Sequence, residues 1–144
     1  MRQTIMVVLV LVLAATATDA KTVDVEQIYA EWLQHYADRQ PDAAIAMTSD
    51  DFVMVNNSNV MDRAAATAFV ESLANFILSR QCTNTRIAIR ALPDRSQSLL
   101  ERVDCLFQTV AGPLEAHFRE QIIVDKRGVI LYDQFSDIAN PSLP

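Results

Sequence analysis

Two carboxylic acids set among apolar residues are the chemistry-bearing feature of this 144-residue chain. Between Leu114 and Val124 a period of two puts Leu114, Ala116, Phe118, Ile122 and Val124 on one face of a strand, with Glu120 as the polar intruder. A second limb puts Val129, Leu131 and Phe135 on one face together with Asp133 and Asp137. Asp125-Lys126-Arg127-Gly128 between them is a polar turn ending in the residue that takes a left-handed conformation without steric cost. If the hairpin closes with Val124 opposite Val129, Glu120 faces Asp133 on the buried side and Phe118 faces Phe135. Like charges held together where water is scarce do not both ionise easily, so one pKa rises and the pair offers a general acid and a general base. A turn over Lys126-Arg127-Gly128 instead pairs Asp125 with Val129, sets Glu120 against Gln134 and moves Asp133 to the polar face. Both registers stay open on the sequence. In the plainer reading Glu120 meets a polar group at the rim of a cavity and Asp133 is a solvated edge residue.

The remaining chemistry is sparse. Tyr29, Trp32 and Tyr36 fall on one helical stripe, either as core packing or as cavity lining that presents O–H and N–H groups to a ligand. His117 alternates with Glu115, Arg119 and Gln121 on an outer face, and His35 sits beside the stripe. Two histidines without matched spacing do not suggest a metal site, and Gly112 and Gly128, the only glycines, make no phosphate loop. No metal or cofactor is therefore expected. Asn56-Asn57-Ser58 is a glycosylation acceptor sequence, a reading that competes with Asn56 as part of a pocket wall.

Positioning these groups falls to helices followed by strands. Asp24 caps a helix whose apolar positions are Val25, Ile28, Tyr29, Trp32 and Tyr36, with Gln27 as capping-box partner. Pro41 stops it and suits the first turn of a short second helix, Asp42 to Met47. Thr48-Ser49-Asp50-Asp51 reads as a turn, and Phe52 to Val55 as a short strand ended by Asn56 to Asn59. Asp62 caps a third helix to Ser79 with Ala66, Phe69, Val70, Leu73, Phe76 and Ile77 on one side. The period then becomes two. Ile87, Ile89 and Ala91 alternate with Arg86, Ala88 and Arg90, and Leu99, Val103, Cys105 and Phe107 share a face of the next strand. The expectation is an α+β domain in which three N-terminal helices cover a curved antiparallel sheet, forming a cone with an open mouth.

A net charge of −6 with no basic run leaves out the electrostatic footprint of a nucleic-acid binder. Arg2, the apolar run Ile5 to Ala15 and the small residues up to Ala20 read as a signal peptide over residues 1–20, with an uncleaved N-terminal anchor as the alternative that the shortness of the run disfavours. One domain over residues 21–137 and a tail over 138–144 follow, with the chain secreted or periplasmic and free of the membrane after cleavage. An oxidising compartment makes a Cys82–Cys105 disulfide the default, although strict alternation puts the two cysteines on opposite faces, a conflict that a bulge or a shifted register would resolve.

Val25-Glu26-Gln27-Ile28-Tyr29-Ala30-Glu31-Trp32, the stretch Pro41 to Val53, the helix Ala64 to Leu78 and the closing Gly128-Val129-Ile130 strand resemble the nuclear transport factor 2-like superfamily, in its SnoaL-like branch. The resemblance implies a cone-shaped roll over nearly the whole mature chain, a fold that hosts isomerases, cyclases, dehydratases and binding modules alike. It implies further that the steroid-isomerase base position falls on Asn56, its helix tyrosine on Trp32 and its late acid near Glu120. An amide takes no proton near neutral pH and an indole N–H only donates, so that apparatus is not kept. The reading is a protein that holds a small, mostly apolar molecule among Tyr29, Trp32, Tyr36, Phe52, Met54, Asn56, Phe118 and Phe135. The alternatives are an acid–base enzyme using Glu120 and Asp133, and a homodimerisation module using the polar outer face of the sheet.

Overall fold

The two longer helices start where a capping side chain supplies an acceptor. In this computed structural model, which describes residues 23–138, the Asp24 carboxylate accepts the Glu26 and Gln27 amides at the start of α1 (Val25–Ala37). Pro41 opens α2 (Pro41–Ala46). Asp62 accepts the Ala65 amide at the head of α3 (Arg63–Phe76), 2.8 Å away. The expected signal peptide and most of the expected tail lie outside the described residues.

Six strands follow or interleave: β1 (Thr48–Asn56), β2 (Asn59–Asp62), β3 (Ile77–Ala91), β4 (Gln97–Thr109), β5 (Gly112–Val124) and β6 (Ile130–Asp137). They form one sheet in the order β2-β1-β6-β5-β4-β3. All neighbours are antiparallel except β1 and β6, so the sheet is mixed rather than purely antiparallel. The reason is topological: β3 to β6 run as a meander, and its last strand returns alongside β1. Val25, Tyr29 and Trp32 of α1 and Ala66 and Val70 of α3 pack against Phe52, Met54, Leu99, Ile122, Val124 and Ile130 to make the core on the concave side.

Local signals were overridden at two element boundaries. Thr48 to Asp51 is strand, not turn: the Ile130 amide donates to the Met47 carbonyl at 3.0 Å, Thr48 pairs with Ile130, and a bulge before Val53 absorbs the polar residues. α3 ends at Phe76 rather than Ser79, because Ile77 already pairs with Thr109.

Bulges set which side chains face inward. The β5–β6 hairpin begins in the second of the two expected registers, with the Asp125 amide on the Val129 carbonyl at 2.9 Å and Val124 opposite Ile130. Gly128 takes φ 87° in this turn, and a Cβ there would come within 3.1 Å of Ile28 on α1. One extra residue, Leu131, then shifts the ladder, so that Ile122 faces Asp133, Glu120 faces Phe135 and Phe118 faces Asp137. The direct Glu120–Asp133 and Phe118–Phe135 pairings of the first register are thus corrected to diagonal ones. The extra residue restores the parity that the second register alone would lose, so both acids point inward. It also makes Ile130, rather than Val129 or Leu131, the fully buried residue.

Another bulge lies in β3 between Arg86 and Ala88, leaving Ile87 half-exposed and unpaired. It brings Cys82 opposite Cys105, and the disulfide forms between them. The same shift carries Arg86 off the outer face, to an ion pair with Glu26 of α1 at 2.8 Å, and aims Asn84 at Glu101. Reduction of this bond, which spans a sequence separation of 23, should lower stability by about 3 kcal/mol. Urea denaturation with and without reductant measures the difference.

Candidate active site in the cone

β5 and β6 present Glu120 and Asp133 on the concave face beneath α1, where the two are 8% and 1% exposed. Tyr29, one helical turn from Trp32, donates its hydroxyl to Glu120 Oε2. Glu101 of β4 stands directly across the ladder from Glu120 and is itself buried, accepting Asn84 Nδ2 at 2.8 Å. Three acids therefore lie in a row across β4, β5 and β6.

Burial dominates their protonation. It pushes Glu120 up to about 7, with the Glu101 charge adding to it, while the bonds from Tyr29 and Asp133 and the charge of Arg80 pull back. Asp133 rises well above the usual carboxylate range, first by burial, then by the charge of Glu120 and the hydrogen bond between the two. Two carboxyl groups hydrogen-bond only if one carries a proton, and Asp133 is that one. Burial also raises Tyr29 and Tyr36, reinforced by the neighbouring carboxyls, so both hydroxyls stay protonated and able to donate.

Above the pair opens a cavity of about 720 Å³. Its walls are apolar: Phe69, Val70 and Leu73 of α3, Phe118 of β5, Phe135 of β6 and Met54 of β1. Phe135 stacks on Phe69 at 6.0 Å and meets Phe118 edge-on at 6.2 Å. The buried end carries Glu120, Asp133 and Tyr36, and the exposed end carries Arg39, Asn57 and Asp137. Two buried side-chain polar atoms have no hydrogen-bond partner among the described residues, the Tyr36 hydroxyl and Asp133 Oδ1, and both of their residues line this cavity.

The expected lining residues divide. Tyr36, Met54, Asn56, Phe118 and Phe135 lie on the wall. Trp32 lies there too, but its N–H donates to the Ala44 carbonyl at 3.1 Å and is not free for a ligand. Tyr29 sits behind Glu120, off the wall, and Phe52 is 1% exposed within the core. Asn56 is half-buried on the wall beside Met54, whose neighbour across β1 and β6 is Asp133. His117 lies on the outer face between Asp104 and Glu115, at 2.6 and 3.1 Å. Sequence reasoning missed Glu101 and Arg80. Glu101 shares parity with Leu99 and Val103, the same signal that singled out Glu120. For Arg80 no signal existed, because its inward aim depends on the β3 bulge. Among the described residues no group of three or more His, Cys, Asp and Glu side chains converges as metal ligands would.

No protein-family model and no curated protein sequence matches the chain. Solved structures do. A ketosteroid isomerase-like protein from Erwinia carotovora atroseptica superposes with a TM-score of 0.66 at 14% identity, over 81% of this chain and 95% of that one. The chain has the SnoaL-like fold. BvnE pinacolase from Penicillium brevicompactum shares this SnoaL-like cone at a TM-score of 0.64 and 11% identity, over 78% and 87% of the two chains. So does SalBIII, an epoxide hydrolase/cyclase-like enzyme of pyran ring formation in salinomycin, at 0.63 and 14%, over 80% and 91%. At these identities the likeness establishes the fold and leaves activity to the site. In this SnoaL-like cone it is Tyr29, and not Trp32, that joins the first helix to the late acid. The disulfide is compatible with a secreted or periplasmic chain, and among the described residues no helix is long and apolar enough to cross a membrane.

Proposed function

We propose that this chain is an exported acid–base enzyme that binds a small, largely apolar molecule through a hydroxyl group and moves a proton between that hydroxyl and the Glu120–Asp133 pair. The observation that carries the reading is the pair of unpartnered buried atoms, Tyr36 O–H and Asp133 Oδ1. The Asp133 proton lies in its bond to Glu120, which leaves Oδ1 as an acceptor, while the tyrosine hydroxyl is free to donate. A ligand hydroxyl matches both at once, whereas a carbonyl accepts only and would leave Oδ1 unsatisfied.

The same arrangement gives the proton a route. As the ligand hydroxyl gives its proton to Asp133 Oδ1, the acid proton of Asp133 passes to the Glu120 carboxylate, which Tyr29 steadies by its hydrogen bond. As it loses its proton the oxygen can add to a polarised double bond of the same molecule, whose π bond opens, and the pair returns the proton to the atom that takes up those electrons; the reverse sequence eliminates the oxygen again. A Glu120 carboxyl pushed up to about 7 takes up and returns a proton near neutral pH with little cost. Cyclase or hydratase chemistry is the class this supports. The nature of three structural neighbours, an isomerase-like protein, a pinacolase and a cyclase-like enzyme, supports acid–base work in such a cone by analogy.

Binding without chemistry is the second reading, favoured by the apolar walls. Carboxyl-resolved NMR titration separates the two. The expected result is a Glu120 midpoint near 7, coupled to a second, higher transition from Asp133. Both groups titrating near the ordinary carboxylate value of roughly 4 would remove the proton-transfer step and leave a binding protein.

A further inference from the structure

The cavity has a second polar feature, a pair of arginines where the end of α1 meets β3. Arg80 of β3 reaches across to donate to the Leu33 carbonyl in the last turns of α1, and Arg39, just past α1 with φ 57°, donates to the Leu78 carbonyl at 3.3 Å. Both line the cavity. Neither forms an ion pair with a carboxylate among the described residues, whereas Arg63, Arg86, Arg102 and Arg127 each do. Arg80 is only partly solvated, and Glu120 influences it through charge without touching it. A guanidinium carries five N–H donors, and the one bond found for each arginine leaves most of them open. The carboxylate of Asp137, the other charge at the mouth, stands three strands away and is held by Asn57 at 2.9 Å.

Two guanidiniums tethered to facing elements, with unspent donors on the wall of an otherwise apolar cavity, describe a receptor for an oxyanion. We infer that the molecule held here is a hydroxylated, mostly apolar carboxylic acid, its carboxylate received by Arg39 and Arg80 and its hydroxyl by Tyr36 and Asp133. A monoanionic carboxylate fits better than a dianionic phosphate ester, since desolvation cost rises steeply with charge and Glu120 repels an anion from below. Planar guanidinium donors match a carboxylate in paired hydrogen bonds. The hydroxyl half of this assignment rests on the proposed function above; the carboxylate half rests on the arginines alone.

Isothermal titration of the disulfide-bonded protein with ω-hydroxydodecanoate, its methyl ester and unsubstituted dodecanoate tests both halves separately. The free acid should bind about tenfold or more tighter than the ester. In the double variant Arg39→Gln/Arg80→Gln the acid should fall to the affinity of the ester, while the ester, which serves as the control for an intact cavity, keeps its own. Arg39→Lys/Arg80→Lys should retain much of the preference. Tyr36→Phe should weaken both hydroxylated probes and spare dodecanoate. Equal binding of acid and ester by the unaltered protein, or a preference that survives in the double glutamine variant, overturns the arginine assignment and leaves the cavity reading standing. Binding of none of the three overturns both.

Discussion

Taking the protein from about pH 5 to about pH 8 is expected to cost it several kcal/mol of folding stability, the reverse of the usual behaviour of carboxylate-rich domains. In the open chain Glu120 titrates at its ordinary 4.5, and in the fold at about 7. Between those values the folded state binds the extra proton, so stability is fully present below the lower one and is lost as the pH rises through the upper. That difference in proton affinity is worth about 3 kcal/mol. Asp133, raised further by burial beside Glu120, extends the decline upward, and Glu101 is shifted in the same sense. Asp104 and Asp125 oppose it, because hydrogen bonds and nearby arginines hold both below their ordinary value, but their contribution is lost only in stronger acid. The maximum therefore falls on the mildly acidic side. Glu120→Gln keeps an acceptor for the Tyr29 hydroxyl and brings an amide donor toward Asp133, so it should flatten the curve and exceed the parent protein in stability at about pH 8, as removal of a strained functional group commonly does. Urea denaturation at several pH values gives both comparisons. A parent protein more stable at about pH 8 than at about pH 5 would mean that the acids are solvated and that the site is not what its burial implies.

Much of this site is legible before folding, and the rest fails for identifiable reasons. Side-chain caps at Asp24 and Asp62 and the apolar stripes behind them act within one or two turns of helix, so the residues that settle them are adjacent in the chain. Alternation placed Glu120 inside because eight residues around it keep strict parity. Bulges carry no such mark. Ile87 and Leu131 are ordinary strand residues, and what leaves each without a partner is the fit of two ladders brought together from distant parts of the chain. Every consequence of the two bulges was hidden with them: Arg86 on Glu26, Arg80 inside the cone, Cys82 facing Cys105, and the diagonal offset of the acids. Emptiness was hidden too. Phe52 and Phe118 read alike in sequence, yet one is packed solid and the other walls a void, because the distance between helices and sheet is a property of the whole arch and of no single strand.

That void makes a sharp prediction within a single helix. Ala66 and Ala74 lie eight residues apart on α3, and both are alanines on its inward side. Ala66 is fully buried in the core cluster; Ala74 faces the cavity. Ala66→Phe has nowhere to put a ring, so neighbouring side chains must leave their rotamers or the helix must lift off β1, at an expected cost of about 3 kcal/mol. Ala74→Phe places the same ring in open space among Leu73, Phe76 and Leu114, where it displaces solvent and gains apolar contact, so stability should change by no more than about 1 kcal/mol in either direction. The ring also takes up room that a ligand needs, and affinity for the methyl ester of ω-hydroxydodecanoate should fall by about tenfold. Thermal melts of the two variants side by side, with titration of the second, measure this directly. Equal destabilisation by the two rings would show the helix packed down on both sites, with no chamber for the acids to serve; a stable Ala74→Phe protein that has lost its ligand places the chamber where Glu120 and Asp133 can act on what it holds.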